Sequence, residues 1–345
     1  MLSTPIKKNT RAHIKIAALN INGQGGTSLR DPNNKWNQIP SLMCRKKLGA
    51  LVVGESHLSP EDLENLNTKY MNRIKLFNSP HPERARGRAG IAVILNKEIT
   101  NTEDVTTQVL IPGHAMLLRL PWHGKHILTI LAIYAPNEST AINKAFWEEL
   151  RCLWINLDIP IPDLILGDMN VVEDAIDRLP SNHHDRAAAT ALDNLKTLLG
   201  LTDGWRDTFP TTKAYTFHQK ATGHRSRIDR IYAGQEIMKQ CHGWTIEDSG
   251  IETDHDLIST EIRFRNAPYI GKGRWSMPLY ILKDKVYAQQ VHEAGLKLQE
   301  ELERTKNART STVNPQTLLR NFKDEIVLLA RERCKILSGK LDKDI

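Results

Sequence analysis

Acidic, amide and imidazole side chains that could act together on a phosphodiester are grouped in four short segments of this chain. The segments are IAALNING (residues 16–23), LVVGE (51–55), LILGDMN (164–170) and TDH (253–255). The apolar runs predict buried strands, and the polar residues beside them fall where strands meet loops, a common location for catalytic groups. One such segment alone is typical of a turn or a surface loop. Four of them on separate strands predict a metal-dependent phosphodiesterase site.

The elements that would position these segments lie between residues 13 and 265. Apolar residues recur at helical spacing in residues 146–157 and 188–199. Short apolar runs predict strands, and seven or more strands mixed with helices indicate a layered α/β architecture. The predicted strands are residues 50–53, 90–95, 116–120, 127–133, 164–166, 228–232 and 257–264.

The composition changes after residue 265. Residues 266–278 contain two prolines and two glycines, which predicts a linker. An apolar stripe from Tyr287 to Leu302 and a second stripe that follows the pair Asn314-Pro315 each predict an amphipathic helix. We therefore predict two parts, a catalytic domain at residues 13–265 and a linker with a helical tail at residues 266–345.

Composition and charge restrict the class of protein. The formal charge of +7 and the pI near 9.1 favour a polyanionic partner, either nucleic acid or an anionic membrane surface. The four cysteines are far apart without a C-x-x-C pair, so neither a zinc site nor a disulfide framework is indicated. The N-terminus lacks an apolar signal region, and no apolar stretch approaches the roughly 18 residues of a membrane span. Secretion and membrane insertion are disfavoured.

Nine motifs in order resemble those of the endonuclease/exonuclease/phosphatase superfamily, and within it the endonuclease domain of non-LTR (LINE-type) retrotransposon polyproteins. The resemblance implies a DNase I-like, four-layered α/β sandwich with two packed β-sheets and a site at the top between them, here followed by a C-terminal helical tail. The motifs are LNINGQ (19–24), GESHL (54–58), RAGIAVILN (88–96), AIYAPN (132–137), LGDMN (166–170), LTDGWRDTFP (201–210), YTF (215–217), SRIDRIYAG (226–234) and TDHDLIST (253–260).

The resemblance also implies a divalent cation, Mg²⁺ with Mn²⁺ able to substitute. Glu55 is similar to the metal-binding glutamate of the family, and a hard cation of this kind prefers one or two carboxylates together with water and phosphate oxygens. Asn20 and Asp254 would lie beside the metal and complete the predicted ligand set. Asn22 stands where abasic-site endonucleases of the family often have aspartate, which disfavours a second tightly bound ion.

The resemblance further assigns a proton-transfer and phosphate-binding group. Asp168 and Asn170 would orient or activate the attacking water. His255 would carry positive charge against the phosphate, with Asp229 fixing its tautomer and raising its pKa. The residues leave open whether Asp168 or His255 is the general base. Tyr134 would donate its hydroxyl to the phosphate.

A last group of residues is predicted to contact DNA or to support the site. Residues 217–225 lie between two strand-like pieces and could form a basic hairpin over DNA, although a plain surface hairpin is the alternative. Trp205 and Arg206 are predicted to be structural, with the tryptophan under the site and the arginine paired with nearby acids. The predicted substrate-binding residues are Asn137, Arg178, Thr216, Phe217, Ser226 and Arg227.

The function predicted from the resemblance is a Mg²⁺-dependent DNA endonuclease of a LINE-type element, acting in the nucleus, that nicks DNA and leaves a 3′-hydroxyl. DNA is the expected partner, together with element RNA or a reverse transcriptase domain outside this chain, and no membrane. An abasic-site repair endonuclease or exonuclease is the first alternative, disfavoured because Ser226 replaces a large aromatic residue of such enzymes. A lipid or inositol phosphatase and a catalytically silent DNA-binding relic are the others.

Overall fold

The computed structural model describes residues 10–26, 28–122, 126–181, 186–264 and 277–341. The chain divides into two compact units, residues 1–267 and residues 268–345. Residues 266–276, which make up most of the predicted linker, lie outside the described residues.

Strands dominate the first unit. In chain order they are β1 (His13–Asn20), β2 (Leu48–Gly54), β3 (Ile74–Ser79), β4 (Ile91–Asn96), β5 (Thr106–Ile111), β6 (Ala115–Pro121), β7 (Ile127–Tyr134), β8 (Leu164–Asp168), β9 (Arg178–Leu179), β10 (Leu201–Asp203), β11 (Phe217–His218), β12 (Arg225–Ser226), β13 (Asp229–Gly234), β14 (Cys241–Glu247) and β15 (Leu257–Arg263).

Helices alternate with these strands and continue into the second unit. They are α1 (Ile39–Arg45), α2 (Pro60–Lys69), α3 (Thr140–Asn156), α4 (Arg186–Leu199), α5 (Gly204–Thr208), α6 (Gln235–Met238), α7 (Lys285–Arg304) and α8 (Pro315–Leu341), with short 3-10 helices at Lys35–Asn37, Ala175–Asp177 and Leu279–Lys283.

Two six-stranded sheets form the centre of the first unit. Their strand orders are β14-β15-β1-β2-β4-β3 and β10-β13-β8-β7-β6-β5, and a small third sheet has the order β11-β12-β9. Both large sheets are mixed, because β1 pairs with β2 and β7 with β8 in parallel while the other pairs are antiparallel. In both sheets the parallel pair holds the candidate catalytic segments.

The two large sheets pack face to face with helices outside. Along β1, Ile14, Ile16 and Ala18 face the core between the sheets, whereas Ala17 and Leu19 face the cluster formed with α1 and α2. The central strands of the second sheet contribute to the same inter-sheet core and, from their other face, to a cluster with α3 and α4. Because these strands are buried on both faces, their sequences are continuous apolar runs. The predicted four-layered α/β sandwich is confirmed.

All seven predicted strands are present, with ends that differ from the predicted ones by at most two residues. β3, β5 and β14 were not predicted, because their half-exposed or exposed residues interrupt the apolar pattern, and neither were the short strands β9 and β10. The helices predicted around residues 146–157 and 188–199 are α3 and α4.

The second unit contains the two predicted amphipathic helices, α7 and α8. Ile281, Tyr287 and Ala330 form its small buried centre. Asp284 caps α7 through the backbone N–H of Tyr287 and also accepts two hydrogen bonds of 2.9 Å from Arg333 on α8. Within the described residues of the chain, no helix combines the length and apolar character needed to cross a membrane.

Candidate active site

The four predicted segments meet at one edge of the paired sheets because of strand register. Asn20 at the end of β1 pairs in parallel with Gly54, which places Glu55 beside it. Asp168 at the end of β8 pairs with Asp229, and Tyr134 of β7 pairs with Asp168 on the other side. The segment TDH (253–255) precedes β15 rather than following a strand. Since β15 runs antiparallel to β1, the start of β15 lies at the edge where β1 ends.

Asn20 links the two sheets. Its Nδ2 donates to Oε1 of Glu55 at 3.0 Å and to Oδ2 of Asp168 at 2.9 Å, and its Oδ1 accepts from the backbone N–H of Asn22 at 2.8 Å. These partners determine the orientation of the amide, because carboxylates accept and the backbone N–H donates. The Asn20 oxygen therefore faces away from both carboxylates. This corrects the prediction that Asn20 is a metal ligand and assigns it to positioning Glu55 and Asp168.

His255 is buried between two aspartates. Its Nδ1 lies 2.8 Å from Oδ2 of Asp229 and its Nε2 lies 3.9 Å from Oδ2 of Asp168. Burial lowers the pKa of His255, but the charge and hydrogen bond of Asp229 outweigh it and raise the pKa to about 10. The imidazole is therefore cationic at neutral pH, as predicted from the Asp229 contact.

Asp168 is 2% exposed and is the last residue of β8. Burial and the neighbouring Asp229 raise its pKa, while His255 and the Asn20 hydrogen bond oppose the change. Its Oδ1 accepts from the backbone N–H of Asn170 at 2.9 Å. Gly167 precedes it with a φ of 140°, and a Cβ at that position would overlap the Ile133 carbonyl of the adjacent strand. This position of β8 therefore requires glycine.

Glu55 has left-handed backbone, with a φ of 48°, immediately after β2. Its Oε1 accepts hydrogen bonds from Asn20 and from the hydroxyl of Tyr134, both at 3.0 Å. Burial and the Glu55 charge raise the pKa of Tyr134, so the phenol stays protonated. Tyr134 was predicted to donate to phosphate, but in this structure it donates to Glu55. Nε2 of His57 lies 4.0 Å from Oε2 of Glu55, and burial lowers the pKa of this histidine.

Asp254 lies on the solvent side of the site. Its Oδ1 accepts from Nδ2 of Asn22 at 3.2 Å. Lys35 is close to both Asp254 and Glu55, and its ammonium donates to the Ile21 carbonyl at 2.6 Å. Burial lowers the pKa of Lys35, opposed by the charges of Asp254 and Glu55.

The site has the chemistry of a cation-binding centre. The carboxylates of Glu55, Asp168, Asp229 and Asp254 surround it. Among the described residues, Oδ1 of Asp229 is a buried oxygen without a hydrogen-bond partner, and no hydrogen bond reaches Oε2 of Glu55. Ligand atoms of Asp168, Asp229 and His255 also lie within 4.8 Å of one another. The carboxylate oxygens fit a divalent cation, since such oxygens suit hard ions, whereas the protonated imidazole of His255 has no lone pair for one.

Two predicted substrate-binding residues have buried side chains that are hydrogen-bonded within the protein. Thr216 is fully buried, and its hydroxyl accepts from the backbone N–H groups of Ile228 and Asp229 at 3.1 and 3.0 Å. Arg227 is 1% exposed and is paired through its guanidinium with Asp177 and Asp203. Neither side chain is available to DNA, so both predictions are corrected. Each residue instead supports the start of the strand that carries Asp229.

The remaining predicted substrate-binding residues line a cleft of about 440 Å³ that includes the catalytic-loop residue Asn170. The ring of Phe217 lies 5.0 Å from the ring of His255 at an interplanar angle of 46°, so the cleft borders the buried His255–Asp229 pair. Asn137 is exposed, and no hydrogen bond of its side chain is present in the described part of the chain. The predicted residues that line the cleft are Asn137, Arg178, Phe217 and Ser226.

Asn143 holds two catalytic loops together and was missed by the sequence analysis. It lies on the buried face of α3, where its Nδ2 donates to the carbonyls of Pro136 at 2.8 Å and Met169 at 3.1 Å. Its Oδ1 accepts from Trp147 at 2.7 Å. The sequence offers one signal for this role: Asn143 is polar but stands at helical spacing from the apolar residues Phe146 and Leu150.

The predicted structural roles of Trp205 and Arg206 agree with their contacts. Trp205 packs in the core between the sheets, and the guanidinium groups of Arg206 and Arg227 lie 5.0 and 5.2 Å from its ring. Arg206 pairs with Asp177, which is fully buried. Burial raises the pKa of Asp177, but its arginine partners outweigh this and lower it. The buried acid therefore stays charged.

The fold and this site define a hydrolase of the nuclease and phosphatase type. A model of the Endonuclease/Exonuclease/phosphatase family matches residues 17–255. The chain belongs to this family, and the membership predicted from its motifs is confirmed.

Similar proteins include a transposon protein and DNA-acting enzymes. The chain is 27% identical over 284 residues to the transposon TX1 uncharacterized 149 kDa protein of Xenopus laevis, covering 81% of this chain and 20% of that protein. It thus spans about a fifth of the length of this curated relative. The AP endonuclease LMAP from Leishmania major superposes with a TM-score of 0.60 and 14% identity, over 73% of this chain and 88% of the other. The endonuclease domain of TRAS1, a telomere-specific non-LTR retrotransposon, superposes with a TM-score of 0.52 and 13% identity, over 73% of this chain and 99% of the other.

Proposed function

We propose that this chain is a Mg²⁺-dependent DNA endonuclease that hydrolyses one phosphodiester and leaves a 3′-hydroxyl, as the target-nicking part of a LINE-type element. The observation that carries the proposal is the single hydrogen-bonded group in which Asn20 joins Glu55 to Asp168 beside the His255–Asp229 pair. The similarity to a transposon protein and the pI near 9.1 support a role on DNA.

The candidate residues divide the reaction between them. Glu55, with Asp254 on the solvent side, would hold the divalent cation, which when bound polarises the phosphate and neutralises developing charge. His255 carries a positive charge that would stabilise the anionic transition state. Asp168 is our choice of general base, since burial and Asp229 raise its pKa and make it a better proton acceptor than an ordinary carboxylate. The cationic His255 has no free lone pair for that step.

A nicking assay tests the proposal and separates the alternatives. Supercoiled plasmid incubated with the protein should become open circular in Mg²⁺ and stay intact in EDTA. The nick should be extendable by a DNA polymerase, because extension requires a 3′-hydroxyl. Preference for an abasic duplex would favour a repair enzyme, and release of phosphate from a phosphoinositide would favour a lipid phosphatase. Binding of DNA without cleavage in any divalent metal would indicate a silent relic and contradict our proposal.

The hairpin tip between β11 and β12 should select the cleavage position. Residues 219–224 are mostly exposed and project from the strand that carries Phe217. Replacing these six residues with a Gly/Ser loop of equal length is expected to change the map of nick positions on one plasmid. The reason is that elements that contact the DNA grooves determine where the enzyme binds, whereas the catalytic residues are unchanged in this variant. Sequencing of the nicked ends measures the map, and an identical map with unchanged DNA affinity would reduce the tip to a surface connection.

We propose that the catalytic domain ends near residue 265 and that the second unit is dispensable for nicking. A protein truncated after residue 265 is expected to unfold cooperatively and to nick plasmid at a rate comparable to the full chain, since the four layers enclose their own core. Thermal unfolding and the nicking assay measure both properties. Insolubility or loss of activity on truncation, with an active full chain, would place the helices within the catalytic domain.

A further inference from the structure

His57 follows Glu55 by two residues, and neither the motif resemblance nor the proposed mechanism gives its side chain a role. We propose that Nε2 of His57 is a second protein ligand, beside Glu55, for the divalent cation of this site. The centre would then combine nitrogen and oxygen donors and favour Mn²⁺ relative to Mg²⁺ more than a purely carboxylate centre does. This inference rests on the proposed function and adds the composition and selectivity of its metal centre.

The backbone of residues 55–57 is held in an uncommon conformation. Glu55 and His57 both have left-handed backbone, with φ values of 48° and 46°. Such conformations in residues other than glycine persist where the surroundings enforce them, and they cluster at functional sites. Here the conformation turns the side chains of Glu55 and His57 toward each other.

Three neighbouring segments enforce this conformation. The backbone N–H of Ser56 donates to the Gly90 carbonyl at 3.1 Å, and the indole of buried Trp36 donates to the Ser56 carbonyl at 3.1 Å. Gln24 donates through its side chain to the His57 carbonyl. The segment is therefore anchored on each side of Ser56, so that the position of the His57 ring depends on these three hydrogen bonds rather than on a free loop.

The ring of His57 is positioned by packing over Gly23. A Cβ at Gly23 would lie 2.7 Å from Nδ1 of His57, closer than side chains approach, so glycine leaves the space that the ring uses. Nε2 is then 4.0 Å from Oε2 of Glu55, the oxygen that no hydrogen bond from the described residues reaches. This distance is too long for a direct hydrogen bond.

The separation instead fits two ligands of one ion. With metal–ligand bonds of about 2.1 Å, two donor atoms lie about 3 Å apart when adjacent and about 4.2 Å apart when opposite. Imidazole nitrogen binds Mn²⁺ and later transition metals better relative to Mg²⁺ than carboxylate oxygen does. A His57 ligand therefore predicts a measurable bias in metal choice.

Pulsed EPR of the full chain with Mn²⁺ alone detects a directly bound imidazole through its ¹⁴N coupling. Wild type should show this coupling, and His57→Gln should lose it while still binding Mn²⁺ through Glu55. The affinity for Mn²⁺ should fall about tenfold or more in His57→Gln, and the affinity for Mg²⁺ should fall less. His242→Gln, at an exposed position on β14, is the control and should behave as wild type.

The variant His255→Gln separates the two possible sources of nitrogen. If the ¹⁴N coupling disappears in His255→Gln and persists in His57→Gln, the ion sits in the cluster of Asp168, Asp229 and His255, and the inference is overturned. It is equally overturned if wild type binds Mn²⁺ without ¹⁴N coupling or binds no Mn²⁺. The plasmid assay remains an independent test, because metal-dependent nicking without a nitrogen ligand would remove the role of His57 and leave the proposed function standing.

Discussion

Plasmid nicking in Mg²⁺ is expected to be at least about a hundredfold slower in Glu55→Gln than in wild type. Glutamine preserves the shape of the side chain and an oxygen that can accept from Asn20 and Tyr134. It removes the negative charge, and a neutral amide is a much weaker partner for a divalent cation than a carboxylate. The expected loss is therefore in metal binding and transition-state stabilisation, with the fold retained.

The matched control for this variant is Glu64→Gln, an exposed glutamate of α2. It removes the same charge from the same part of the chain and should nick as wild type does. Thermal unfolding of Glu55→Gln close to that of wild type would exclude unfolding as the cause of lost activity. A Glu55→Gln protein that nicks at the wild-type rate would show that the metal centre is assigned to the wrong residue.

The sequence predicted the central strands and the catalytic segments for one physical reason. Strands such as β2 and β8 are buried on both faces, so they are continuous apolar runs that stand out from their surroundings. Asp168 was predicted for the same reason, because it is an acidic residue that directly follows such an apolar run. Edge strands such as β5 are exposed, and their mixed composition does not distinguish them from loops.

Residues whose role depends on distant partners could not be assigned in this way. Arg227 was predicted to contact DNA because the chain is basic. Its guanidinium instead donates to buried Asp177, which is 50 residues away in the sequence. Thr216 is likewise defined by the two backbone N–H groups that reach its hydroxyl from β13 and the residue before it. His57 depends on the backbone conformation and on Gly23, neither of which follows from local composition. Contacts between residues that are distant in the sequence decide these roles, and such contacts do not follow from local sequence patterns.

Removing the imidazole of His255 is the second change with a large expected effect. His255→Ala should slow nicking at least about a hundredfold, because the charge that faces the developing negative charge is lost. The side chain is 6% exposed, so the truncation also leaves a small buried gap. Melting temperature must therefore be measured together with rate. Retained activity in a folded His255→Ala protein would exclude a direct role for this histidine.

Asp229→Asn tests the charge of His255 without removing the ring. In wild type, burial lowers the pKa of His255 while Asp229 raises it to about 10, so the catalytic cation is present below that pH and is lost as pH rises through it. Nicking by wild type should therefore show no loss attributable to His255 between pH 6 and 9. Asparagine removes the charge that opposes burial, so the pKa of His255 should fall and activity should decline within this range. An NMR titration of the His255 ring measures the same shift independently of turnover. If the ring titrates at the same pH in both proteins, Asp229 does not control the charge of His255, and the loss of activity in Asp229→Asn must have another origin.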